Sequence, residues 1–199
     1  MARPRGIEDA VILRAAAEVM GRVGPGGFTL AAVAEEVGLV AGTLVQRFGS
    51  KRGLLLALAE QSARDADALS ARVRQAYGTA LDALEALVVE LTNQVATPES
   101  FAHHLAFLCT DLTDPEFRRH ALVVHEAQRR AVEALLAAAV TAGELRPGTD
   151  TGALADTVQA VTAGTGVVWA LDRRDALAGR LRRELAAVLS AHRTPRRPA

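Results

Sequence analysis

Between Phe28 and Lys51 the chain reads FTLAAVAEEVGLVAGTLVQRFGSK, and few folded forms accept that order of residues. Val33 and Val37 lie four apart, as do Leu44 and Phe48, so each pair shares one face of a short helix. Thr29 suits the N-cap of the first segment, and Gly38 suits a left-handed stop after Val37. Ala34 is small where two such helices would cross. Two short helices on a tight turn are the pattern of a helix-turn-helix, whose second helix enters the DNA major groove. An ordinary αα-hairpin packed in a core has the same spacing, so spacing alone leaves both open.

The rest of the chain also reads as helix. Half of the residues are apolar but only 4% are aromatic, so Ala, Leu and Val must fill the core. Ala and Leu are strong helix formers, and no period-two alternation marks a strand. The fold class expected is all-α, without internal repeats. A first helix is expected over about 7–23, with Val11, Ala15, Val19 and Val23 inward beside Ile12, Ala16 and Met20. Arg14, Glu18 and Arg22 form its outer face. Gly24-Pro25-Gly26-Gly27 stops it; no Gly-Lys-Ser/Thr follows and no strand precedes, so these glycines are not a phosphate loop. Further helices fit about 30–37, 41–47, 50–75, 79–95, 100–112, 114–142, 150–163 and 167–192. Asp114-Pro115-Glu116 is a strong start signal, Gly143 and Pro147 bracket a break, and Gly164-Thr165-Gly166 should kink or divide the last pair.

A chain of 199 residues allows one sizeable domain or two small ones. Charge divides it. Residues 1–52 carry seven basic groups against five acids, 53–172 eight against sixteen, and 173–199 eight against two, which gives +2, −8 and +6 and a total of zero. A small basic unit followed by an acidic body suggests different partners for the two. The boundaries expected are a helix-turn-helix domain at 1–52, an acidic helical body at 53–192, and a disordered tail at 193–199, where Arg193, Arg196 and Arg197 sit among Thr194, Pro195 and Pro198. Cys109 is the only cysteine, which excludes a disulfide framework and a zinc–cysteine cluster. The polar opening MARPRGIEDA is no signal peptide, and the longest uncharged run, Thr157 to Leu171, falls short of the ~20 residues of a membrane span. A cytoplasmic protein is expected.

From Ile7 to Leu56 the chain resembles the N-terminal DNA-binding domain of the tetracycline-repressor-like (TetR) family. The resemblance rests on the amphipathic first helix, the glycine turn, Thr29 opening helix two, Ala34 with Gly38, Gly42-Thr43-Leu44, Phe48, and Lys51 opening helix four. The string GELRP at Gly143–Pro147 is a weaker family feature. The resemblance implies a three-helix helix-turn-helix domain followed by a helical body that binds a ligand and dimerises through its last two helices, here about 151–171 and 172–191. Val158, Val161, Val167, Val168 and Leu171 would form that interface; burial within one chain is the other reading of this stripe. Two residues depart from the family: Val40 stands where a capping Ser is common, and Val45 where a phosphate-touching Tyr is common.

The DNA contacts expected are Thr29, Lys51 and Arg52 on phosphates, with Arg47 at a family phosphate position. Thr43 and Gln46 would read bases, while Ala41 and Gly42 let the backbone approach. Arg3 and Arg5 would reach a minor groove or belong to a disordered terminus. A ligand pocket would draw on Phe101, His104, Phe107, Cys109, His125 and Trp169, with core packing as the plainer role of each aromatic and Cys109 as a buried thiol. His103 and His104 are adjacent, and no histidine pair has i,i+4 spacing, so no metal site and no cofactor are expected. No G-x-S-x-G, phosphate loop or metal motif frames a catalytic constellation, so the chain is not read as an enzyme. The function implied is a homodimeric regulator, most often a repressor in this family, that leaves its double-stranded operator when a small apolar effector binds. The alternative is a helical interaction protein whose DNA binding is weakened or lost.

Overall fold

Breakers and caps divide the chain at Gly38, at Asp114-Pro115 and at Gly143–Pro147, as the sequence places them. The computed structural model describes residues 7–93, 95 and 97–194, and all its elements there are helices: α1 (Asp9–Gly27), α2 (Leu30–Glu36), α3 (Ala41–Phe48), α4 (Lys51–Ala76), α5 (Ala80–Glu90), α6 (Pro98–Thr113), α7 (Pro115–Thr141), α8 (Thr151–Asp172) and α9 (Leu177–Ser190). Arg3, Arg5 and the tail from Pro195 lie outside the described residues. Thr29, Thr79 and Asp150 cap α2, α5 and α8 by accepting from Ala32, Asp82 and Ala153 N–H. Thr97 and Ser100 form a reciprocal capping box at α6, with Pro98 in its first turn.

Two compact units result. The first takes the described residues within Met1–Arg64 and Gln94–Val124, the second those within Asp65–Asn93 and His125–Ala199, so α4 and α7 contribute to both. The cut expected at 52/53 is not where packing divides the chain, because α6 completes the core of the helix-turn-helix. Ile12, Leu13, Ala16, Val19, Phe28, Val33, Ala34, Leu44 and Leu54 bury together with Phe107 of α6. The Phe28 and Phe107 rings meet edge to face, their centroids 5.7 Å apart. α6 comes close to α1 because glycines line the seam: a Cβ on Gly21 would stand 2.8 Å from the His104 ring, and one on Gly24 2.8 Å from the His103 ring. His103 Nδ1 pairs with the Gly21 carbonyl at 2.8 Å. Gly24 also carries φ 65, which ends the regular part of α1 where the sequence puts its stop. The buried arc of α1 centres on Ile12, Ala16 and Val19; Val11, expected inward, lies at its edge and is exposed.

The second unit is held by a leucine stripe. Leu177, Leu181, Leu185 and Leu189 recur every four residues on α9 and are all buried, as are Leu81, Leu84, Leu87 and Val88 of α5 and Val132, Leu135, Leu136 and Ala139 of α7. The GELRP string acts as a staple. The Glu144 carboxylate accepts from the Ala80 and Leu81 N–H groups at 2.9 and 3.1 Å, Leu145 is fully buried, and Arg146 N–H donates to the His192 carbonyl. Arg193 pairs with Leu145, and Thr194 N–H donates to the Glu144 carbonyl. These two residues, assigned to the tail by composition, are thus ordered by backbone bonds. Gly164-Thr165-Gly166 does not divide α8: no Pro is present to remove a donor, Gly166 is buried, and the helix continues to Asp172. The break falls instead at Arg173, φ 55, where Trp169 Nε1 donates to the Asp175 carbonyl at 3.1 Å. α5 ends at Glu90, short of the Val95 expected.

Within the first unit, Arg52 of α4 clamps the start of α7. Its guanidinium donates twice to Asp114, at 2.7 and 3.0 Å, and twice to Glu116 Oε2, at 2.6 and 3.2 Å, and lies 4.6 Å from the centre of the Phe117 ring. Asp114 also accepts from the Glu116 and Phe117 N–H groups at the α7 N-terminus. The Arg52 bonds, helped by those N–H groups, hold the Asp114 carboxyl well below the usual carboxylate range. Its pKa is lowered in the folded chain, so the stabilisation it supplies is complete above the ordinary value of about 4 and fades as pH falls below it. Asp114→Asn should therefore lower the thermal midpoint at pH 7, and the gap to the parent should hold down to about pH 5 and shrink below about pH 4. A gap that grew on acidification would contradict the clamp.

The turn from α3 to α4 depends on Gly53. A Cβ there would stand 1.9 Å from the Phe48 carbonyl oxygen, a backbone atom that cannot step aside. Gly53→Ala should cost about 1–3 kcal/mol, read as a lower urea midpoint without a change of slope.

Candidate nucleic-acid interface

The α2–α3 turn sets the aim of α3. Gly38 takes φ 66, and Leu39 N–H donates to the Ala34 carbonyl at 2.8 Å. Val33, Ala34 and Leu44 are buried, with Val37 and Phe48 packed beside them. Leu44 and Phe48 thus hold one side of α3 in the core and leave Gly42, Val45 and Gln46 on the opposite, exposed side. These three stand at i, i+3 and i+4, so they share a face. Ala41 and Thr43 flank it, half-buried. Val40 is the N-cap of α3 and offers no side-chain bond to the helix; its backbone carbonyl accepts from Thr43 N–H at 2.9 Å.

The basic side chains near this face differ in what they can offer a phosphate. Lys51 is exposed; its Nζ lies 3.3 Å from the Pro25 carbonyl and 5.4 Å from the Phe28 ring centre, and neither group cancels its charge. Thr29 is exposed, and its Oγ1 accepts from Ala32 N–H at 3.1 Å, which leaves its hydroxyl proton to donate elsewhere. Arg47 is ion-paired to Asp9 at 2.9 Å and donates to the Ile7 carbonyl. Arg52, expected on a phosphate, is committed to Asp114 and Glu116. Those carboxylates raise its pKa above the ordinary arginine value, so the guanidinium is both charged and occupied.

The six residues expected to line a pocket fall in different units. Phe101, His104, Phe107 and Cys109 belong to the first, His125 and Trp169 to the second. Phe107 is a core residue of the helix-turn-helix. His104 faces the α1–α6 seam, with Nδ1 2.7 Å from the Ser100 carbonyl and a buried Nε2 without a partner. Phe101 is half-buried, while His125 and Cys109 are exposed; Cys109 is therefore not the buried thiol expected. It shares a stripe with Leu105, Leu108 and Leu112, and α6 spends its opposite face on α1. Trp169 is buried and spends its N–H on Asp175. Among the described residues no group of three or more His, Cys, Asp or Glu could hold a metal ion, and no helix is long and apolar enough to cross a membrane.

Sequence reasoning assigned no contact to Val40 and Val45, yet both are exposed on or beside α3, at 72% and 47%. The signal was available: Leu44 and Phe48 already fill the core side, so any further apolar residue on so short a helix has to face out.

The comparisons agree with this architecture. A family model described as bacterial regulatory proteins, tetR family, matches residues 12–58. A second, described as Tetracyclin repressor-like, C-terminal domain, matches residues 109–185. Together they span more than half of the chain. A comparison with curated proteins finds no match. Among solved structures, a Rhodococcus sp. protein described as a TetR-family transcriptional regulator shares 20% identity at a TM-score of 0.74, with 94% of this chain and 98% of that one covered. A transcriptional regulator from Saccharomonospora viridis in complex with choline shares 19% at 0.73, over 94% and 98%. FadR from Bacillus subtilis, in complex with stearoyl-CoA, shares 19% at 0.65, over 92% and 98%. At these identities the structures speak for the fold, and the family models for the lineage. A helix-turn-helix with an outward α3, followed by a repressor-like helical body, places this chain in the TetR family of DNA-binding transcriptional regulators, which act by binding rather than by catalysis.

Proposed function

We infer that the chain is a homodimeric repressor that acts on cytoplasmic DNA and leaves its operator when a small apolar ligand binds its helical body. The observation that carries the DNA-binding half is the exposed α3 face of Gly42, Val45 and Gln46, held outward by the buried Leu44. Gln46 can bind adenine N6/N7 through its amide, and Thr43 lies beside it. Lys51 and Thr29 supply phosphate contacts. Arg47 and Arg52 would contact phosphate only by leaving Asp9, Asp114 and Glu116, so they serve here to brace the domain.

One helix-turn-helix makes too few contacts for specific binding, and two recognition helices one DNA turn (~34–36 Å) apart meet successive grooves. Val167, Val168 and Leu171 are exposed on α8 at 39%, 52% and 78% and stand at i, i+1 and i+4. Such a stripe supports pairing with a second copy. Val158 is buried within its own chain and Val161 is half-buried, so these two belong to the core rather than to that stripe. A ligand that prefers one arrangement of the dimer would shift the population away from the operator-bound form.

Selection of duplexes from a random pool, followed by titration against salt, tests the DNA contacts. Lys51→Ala should weaken binding on all sequences and reduce the slope of log K against log salt by about one. Gln46→Ala should relax preference at one or two base pairs. An unchanged selected sequence for Gln46→Ala would remove it from the base-reading face. Leu171→Asp should shift sedimentation equilibrium toward a single chain; a chain that is monomeric without the substitution would exclude the dimer.

A further inference from the structure

We propose that Val45, with Val40 beside it, reads the C5-methyl groups of thymines, so that each half-site of the operator presents A·T pairs where these side chains enter the major groove. This rests on the DNA-binding reading above and specifies what α3 recognises. Val40 and Val45 are 72% and 47% exposed, on the one helix of the first unit that Leu44 and Phe48 turn outward. A valine side chain neither donates nor accepts a hydrogen bond. In a duplex its partners are therefore the thymine methyl, the apolar feature that base edges offer in the major groove, or the deoxyribose.

The neighbours on α3 narrow the choice. Guanine is read chiefly by Arg or Lys on O6 and N7. Arg47, the basic residue of α3, is turned to Asp9 and the Ile7 carbonyl, and Arg52 beyond it is held by Asp114 and Glu116. What the exposed face offers instead is Gln46, whose amide matches adenine N6 and N7, beside Val45. Adenine N6 amino groups and thymine methyls lie on the two strands of the same base pairs. Gln46 and Val45 thus ask for the same composition from opposite chemistry.

The test uses the full-length protein and the half-site recovered from a random duplex pool. Each thymine is replaced in turn by deoxyuridine, which removes the methyl and keeps the pairing, the sugar and the phosphate. Loss of one methyl contact should weaken binding about fourfold, the effect of exposing one methylene-sized group. At least one such position should appear per half-site in the parent protein. Val45→Ala should bind thymine and deoxyuridine duplexes alike at that position, whereas Gln46→Ala should keep the discrimination. A parent protein indifferent to deoxyuridine at every position would overturn the proposal and leave the valines on the sugars, with the DNA-binding reading intact. A half-site made of G·C pairs throughout would overturn it in the same way. A pool that yields no preferred sequence would overturn the DNA-binding reading and this proposal together.

Discussion

Phe107 stands edge-on against Phe28, and the helix-turn-helix depends on that contact. Three short helices of some forty residues bury too little surface to be stable alone. Here Phe107 of α6, from a separate stretch of the chain, supplies the missing wall. Its approach requires glycine at 21 and 24, because His103 and His104 occupy the space a side chain would take. The polar groups in the seam are handled locally: Gly21 carbonyl to His103, Ser100 carbonyl to His104. The domain that carries the DNA-facing helix is consequently assembled from two separate stretches of sequence.

The electrostatics of the first unit follow from the same assembly. Bringing the start of α7 next to the start of α4 sets Asp114 and Glu116 against Arg52. An arginine that sequence position would assign to phosphate becomes an internal brace. Arg47 is held by Asp9 in the same way, at the surface. Two of the basic side chains of the first 52 residues are thus held in ion pairs at the surface, and the exposed side of α3 carries Val45 and Gln46.

In the second unit a regular pattern is closed by one irregular segment. The α9 leucines at four-residue spacing need only a partner surface, and α8 and α5 pack against that helix. GELRP ties the N-terminus of α5 to the C-terminus of α9 through one carboxylate and a few backbone bonds. A short string of modest sequence specificity thus satisfies helix-end groups that would otherwise face each other unpaired.

Local chemistry was readable from the sequence: the helical period, the cap at Thr29, the left-handed stop at Gly38, and Asp114-Pro115-Glu116 as a start. So was the inward pairing of Val33 with Leu44, because these features act over three or four residues and need no distant partner. The end of α1 at Gly24 belongs to the same class. The domain boundary, the exposure of Cys109 and Val11, the pairing of Arg193 and Thr194, and the persistence of α8 through Gly164 to Gly166 were not readable. Each depends on which distant surface arrives, and a composition window cannot register that. The sequence by itself determined an all-helical chain with a helix-turn-helix in its first quarter. Tertiary structure decided which arginines are ion-paired and which side chains of α3 stay exposed, because an ion pair between Arg52 and Asp114 exists only once the chain has folded.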